Sequence, residues 1–155
     1  TLEIQRLIGR SLRTCVDRSC LGERQIIIDC DVLQADGGTR CASITGGWVA
    51  LKLAVDKMIA KGKFSEDPIL HQVAAVSCGI IEGTPMIDLN YHEDSNADLD
   101  SNFVMNEKKE FVEIQCTAEQ ATLKRMELEE LCDMATSGIS ELLKIQKESL
   151  CLEKI

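Results

Sequence analysis

Two groups of residues have the types and spacing to do chemistry. The first is Gly38, Thr39 and Arg40, which follow Asp36-Gly37 where an apolar run gives way to a segment of helical spacing. Glycine permits positive φ and close backbone approach. The first amides of a helix lack internal partners and carry the positive end of its dipole, so a phosphate can sit there. Arg40 adds a planar fork that matches phosphate oxygens. The same residues also suit a plain strand-to-helix turn with a solvated arginine, because short glycine motifs recur widely. The second group is Glu93, Asp94, Asp98 and Asp100, crowded into eight residues. Like charges this close require a cation, a basic partner or solvent. They could hold Mg²⁺, which takes oxygen ligands, or protonate a leaving oxygen; a solvated acidic loop is the alternative. An anion seat and an acid or metal pair are the two needs of phosphoryl transfer. Spacing alone does not bring them together.

The elements that must position these groups follow from periodicity. Ile4, Leu7, Ile8, Leu12, Cys15 and Val16 mark an amphipathic first helix. Arg6, Arg10 and Arg13 share one face of it at i, i+4 and i+7, a weak candidate for RNA contact and equally a solvated face. The β-branched run Ile26–Leu33 predicts a strand leading into the glycine turn. Ile44, Trp48, Leu51, Val55, Met58 and Ile59 then predict a long helix ending near Lys61-Gly62-Lys63. Ser65-Glu66-Asp67-Pro68 reads as a linker. Val73–Ile81 and Met86–Tyr91 predict a hairpin around Glu82-Gly83-Thr84-Pro85, and Asn102–Met105 with Phe111–Gln115 a second. Leu128 to Ile145 carries the spacing of one closing helix, with Gly138 inside it. The pattern is α+β, with antiparallel sheet packed on helices.

Composition narrows the function classes. The 155 residues are 45% hydrophobic and 28% charged, suited to one globular domain or two small ones. No apolar run reaches the roughly 18 residues of a membrane span, and no signal peptide is visible. A net charge of −9 argues against general nucleic-acid binding but leaves room for a local basic site. The eight cysteines show neither Cys-x-x-Cys pairs nor zinc spacing, so reduced thiols and a cytoplasmic setting are expected. Only His71 and His92 are present and neither adjoins a nucleophile motif, which disfavours a Ser/His or Cys/His hydrolase. The chain starts at Thr1 rather than Met, so a start inside a longer product is expected.

Taken together, several stretches resemble the ribonuclease PH family of bacterial phosphate-dependent exoribonucleases. They are Glu3–Arg13, Leu21–Arg24, Ile28–Arg40, Ala42–Gly46, Asp88–Tyr91, Glu93–Ser95, Asn102–Met105 and Val112–Gln115, collinear from Thr1 to Leu150. The resemblance implies a fold related to the second domain of ribosomal protein S5 and a hexameric ring built as a trimer of dimers. Residues 1–63 would be the C-terminal part of a first exoribonuclease domain and 64–155 a second domain. It implies 3′→5′ trimming of RNA, chiefly tRNA precursors, by inorganic phosphate as co-substrate with Mg²⁺ assisting. Gly38, Thr39 and Arg40 map onto the phosphate-binding segment, and Asp94 and Asp100 onto the metal-binding and acid residues. The family's N-terminal part, with a further phosphate-binding arginine, lies outside this chain. Cys41 and Cys116 stand where the family usually has other residues. A non-catalytic ring or RNA-binding subunit of the same family is the alternative.

Overall fold

Strand β1 (Val73–Ile81) is buried along all but its last residue, which places a sheet at the centre of the molecule with layers on both sides. In this computed structural model, which describes residues 2–118 and 122–152, the sheet has four antiparallel strands in the order β2-β1-β3-β4. The others are β2 (Thr84–Ile87), β3 (Leu99–Asn106) and β4 (Phe111–Ala118). The period of two along a strand divides its side chains between the faces. Val73, Ala75 and Val104 pack under α1 (Leu2–Thr14) and α2 (Thr39–Ala60). Ala74, Val76, Cys78, Ile80, Leu99, Phe103 and Met105 pack against α4 (Arg125–Leu152). Coverage on both faces explains why Val73–Ile81 reads as a continuous apolar run rather than an alternating one.

Helix α4 presents Leu131, Ala135, Ile139 and Leu143 at four-residue intervals, all buried. A Cβ on Gly138 would lie 2.5 Å from Ile87 Cδ1, so glycine lets α4 close on β2 despite its cost within a helix. All eight cysteines are free thiols, as expected. Among the described residues, no helix is long and apolar enough to cross a membrane.

The structure corrects two expectations. Residues 26–33 form no strand: they run as an irregular ribbon that bends at Leu33, without a ladder partner among the described residues. Ile26 and Ile28 pack onto the α1–α2 layer, whereas Ile27, Val32 and Leu33 face solvent at 80%, 49% and 94% exposure. β-branched residues favour a strand, but a strand also requires a neighbour, and among the described residues these have none. The strand expected over Met86–Tyr91 runs instead over Thr84–Ile87: Thr84 and Pro85, expected in the turn, pair with Ile81 and Ile80, and the strand ends at Ile87 because Asp88 takes a left-handed backbone conformation (φ 58°). A short helix, α3 (Tyr91–Ser95), follows inside the acidic stretch. Asn90 caps it by accepting from the amides of His92 and Glu93, while the Glu93 carboxylate accepts from the Asn90 amide. Thr1 and residues 119–121, which fall within the resembling span, lie outside the described residues.

Candidate active site

Glycine at the start of α2 leaves the helix without a side-chain cap. Gly38 is the N-cap, in a left-handed conformation (φ 69°), and being glycine it offers the amides of the first turn no side-chain cap. Those amides and the positive end of a 22-residue helix therefore face whatever sits before Thr39.

The turn is held in place by α3. Asp36 Oδ1 accepts from the amides of Gly37 (2.9 Å) and Tyr91 (2.6 Å). These bonds hold the Asp36 carboxyl below its ordinary pKa. Gly37 lies so close that a Cβ there would be 1.9 Å from the Leu89 carbonyl oxygen. Glycine at 37 is therefore a requirement of close approach, and Asp36 fastens the turn to the element that carries Asp94. Neither role was visible from spacing.

The floor of the site comes from the sheet. Register pairs Gly79 with Asp100 and Ser77 with Asn102. Alternation turns these four positions toward α2, away from the α4 core. From the first turn of α2, Arg40 Nη2 reaches Asp100 Oδ2 at 3.3 Å, both side chains partly exposed. The phosphate-seat motif and the acidic motif, 60 residues apart in sequence, thus meet through Arg40 and Asp100. Gly38 and Thr39 lie in the same turn of chain. Asp94 lies on α3, next to the turn that Asp36 fastens.

Two further residues escaped sequence reasoning. Ser77 and Asn102 are buried at 3% exposure, and Ser77 Oγ and Asn102 Nδ2 have no hydrogen-bond partner. Ser77 Oγ is 3.3 Å from where a Gly38 Cβ would stand. Among the described residues these buried donors find no partner, which is costly and sets the pair apart on the floor under α2. A polar residue inside the apolar run Val73–Ile81 was the available signal. Asn102 Oδ1 also accepts from Cys41 Sγ at 3.1 Å. Burial pushes the Cys41 thiol up to about 12, so it remains protonated and serves as a donor, not a nucleophile.

The basic face of α1 is divided. Arg10 makes a two-pronged ion pair with Glu113 on β4, with Nε 3.1 Å from Oε2. Arg6 is exposed, and Arg13 lines the groove that reaches Thr39 and Arg40 between α1, the ribbon and α2. Among the described residues no group of three His, Cys, Asp or Glu side chains is placed to hold a metal. Asp94 on α3 and Asp100 on β3 are carboxylates, the kind of oxygen ligand that Mg²⁺ takes.

Residues 1–55 match domain 1 of the 3′ exoribonuclease family and residues 71–138 match its domain 2. Ribonuclease PH of Cereibacter sphaeroides is 61% identical over 150 residues, which cover 97% of this chain and 63% of that protein. Ribonuclease PH of Roseobacter denitrificans is 59% identical over 147 residues, 95% of this chain and 62% of that protein. This chain thus spans a little under two thirds of the curated relatives it matches. Among solved structures, an archaeal exosome core superposes with a TM-score of 0.69 at 19% identity, over 94% of this chain and 63% of the other. An Archaeoglobus fulgidus exosome with RNA bound to its active site gives 0.71 at 19% identity, over 92% and 60%. Rice Rrp46 gives 0.68 at 14% identity, over 96% and 64%, and these three likenesses speak to the fold alone. With profiles of both domains matched in order and close relatives of one name, the chain belongs to the 3′ exoribonuclease family that includes ribonuclease PH.

Proposed function

We propose that this chain carries the phosphate seat and the acid of a phosphorolytic 3′→5′ exoribonuclease that trims tRNA precursors. The observation that carries this reading is the Arg40–Asp100 contact, which sets an anion-binding helix start against a carboxylate. Inorganic phosphate binds at the first turn of α2, oriented by the free amides at Gly38–Arg40 and by the Arg40 guanidinium. Its oxygen attacks the phosphorus of the last phosphodiester. A new P–O–P bond forms, the bond to the 3′ oxygen breaks, and a nucleoside diphosphate leaves. The departing 3′ oxygen takes up a proton, and Asp100 lies on the floor where it can be delivered. Asp94 and Asp100 would hold Mg²⁺, which when bound supplies positive charge to the transferring phosphoryl group.

Among the described residues Arg6 and Arg13 have no ion pair, so they are the cations of α1 for guiding RNA, whereas Glu113 already neutralises Arg10. The remaining assignments follow the family: residues 1–63 as the C-terminal part of a first exoribonuclease domain, 64–155 as a second, a hexameric ring as the assembly and the cytoplasm as the setting. The test is release of nucleoside diphosphates from a 3′-extended tRNA in Mg²⁺, with and without phosphate. Phosphate-dependent release that disappears in Arg40→Ala is the expected result. Release that survives Arg40→Ala unchanged overturns the site assignment. A chain that releases nothing, with phosphate present, is instead a non-catalytic part of the family assembly.

A further inference from the structure

Far from the substrate groups, α2 is tied to the rest of the molecule by a buried amide cluster. Gln146, on α4, is 2% exposed. Its Nε2 donates to the Thr45 carbonyl of α2 at 2.8 Å and to the Val73 carbonyl of β1 at 3.0 Å. Its Oε1 accepts from Gln72 Nε2 at 2.8 Å, and that group also donates to the Leu143 carbonyl at 2.7 Å. Thr45 Oγ1 accepts from the Ala75 amide at 3.0 Å. One turn further along, Trp48 Nε1 donates to the His71 carbonyl at 2.9 Å. Thr45 and Trp48 are three residues apart and so lie on one side of α2.

Hydrophobic contact alone holds a helix loosely about its own axis and along it. Directed hydrogen bonds fix both, and here each side-chain group of the two glutamines that could go unsatisfied has a partner. Thr45 follows Arg40 by five residues, about 7.5 Å along the helix. A rotation or slide of α2 at Thr45 would therefore move the first turn and the Arg40 fork relative to Asp100.

We infer that Gln146 is a positioning residue for the phosphate seat: by holding the Thr45 carbonyl it sets the rotation and rise of α2, and with them the place of Arg40 over Asp100. This rests on the reading of the α2 start as a phosphate site. Gln146 touches no substrate.

Two variants separate positioning from mere stability. Gln146→Met keeps the side-chain volume but loses the donor to Thr45. Gln72→Met removes the other half of the amide cluster and leaves the Gln146–Thr45 bond intact. Inorganic phosphate is titrated into each protein by calorimetry, and thermal midpoints are recorded alongside. Both variants are expected to melt earlier than the parent chain. Only Gln146→Met is expected to bind phosphate more weakly, by about tenfold or more, because a displacement near 1 Å can cost 10²-fold at a reacting centre. Equal phosphate affinity in Gln146→Met and the parent chain overturns the inference, as does an equal loss in both variants. A parent chain that binds no phosphate overturns the phosphate-seat reading and the inference with it. Binding by the parent that is lost in Arg40→Ala and kept in Gln146→Met overturns the inference alone.

Discussion

Replacing Gly37 by alanine tests whether the phosphate-seat turn and α3 are built as one unit. The added Cβ would stand 1.9 Å from the Leu89 oxygen and 2.8 Å from the Asn90 carbonyl carbon, and real Cβ atoms essentially never come within 3.0 Å of such neighbours. Both obstacles are backbone, so no side chain can rotate away. The turn must retreat by about 1 Å, which stretches the Asp36–Tyr91 bond from its present 2.6 Å. Overpacking of this kind costs about 1–3 kcal/mol, and a rigid obstacle places Gly37→Ala near the top of that range, about 3 kcal/mol. For a chain of this size that is roughly 6–12 °C in melting temperature. Gly46→Ala is the matched control. It lies on the exposed side of α2 with nothing within 4 Å of the new methyl group. It should stabilise by about 0.5–1 kcal/mol, because glycine loses more backbone entropy than alanine in a helix. Urea denaturation of the three proteins, compared at equal m values, gives the answer. If Gly37→Ala falls within about 0.5 kcal/mol of the parent chain, the turn is not packed against α3 as described, and the coupling between the two motifs fails with it.

Other expected outcomes follow from the same geometry. Arg40→Lys keeps the charge but loses the fork, and phosphate-dependent release of nucleoside diphosphates should drop by about 10²-fold, as for removal of one preorganised donor. Parent-like rates would show that charge alone suffices. The Asp36 carboxyl is held below its ordinary value of 3.8 by the Tyr91 and Gly37 amides. Its contribution to stability is therefore present above the unfolded value and lost as pH falls through the folded one. The stability difference between the parent chain and Asp36→Asn should be open at pH 7 and close as pH falls below about 4. A difference that stays constant from pH 7 to pH 3 removes that role. RNA affinity should fall steeply as salt rises, with a slope of about −0.7 per neutralised phosphate for single strands, measured by fluorescence anisotropy. A slope near zero would exclude local basic contact as the basis of binding.

Much of the fold was legible because the strongest signals are periodic. Val73–Ile81 and Leu131–Leu143 announce a buried strand and its covering helix, and the structure has both. The ribbon at residues 26–33 was misread because β-branched residues favour a strand, and pairing is a property of neighbours. Tyr91–Ser95 was missed because five residues are too few for periodicity; only the Asn90 and Glu93 capping box marks it. At the site, Gly38, Thr39, Arg40, Asp94 and Asp100 could be named from motif and resemblance. The meeting of Arg40 with Asp100 could not, because it depends on how helix and sheet pack, and strand register does not show in a single strand's sequence. Ser77 and Asn102 look like ordinary polar residues until the structure shows their unpartnered atoms under the α2 start.

The unpaired ribbon gives salt two opposite effects on this chain. With nine more negative charges than positive ones, copies repel one another in dilute buffer, which keeps the exposed Ile27, Val32 and Leu33 edges apart. At physiological ionic strength that repulsion reaches only about 8 Å, and added salt shortens it further. If the arginines of α1 hold RNA as proposed, salt that releases it also lets the exposed apolar residues of one molecule's ribbon approach another's. Self-association and the proposed RNA contact would thus respond to one variable through two different surfaces.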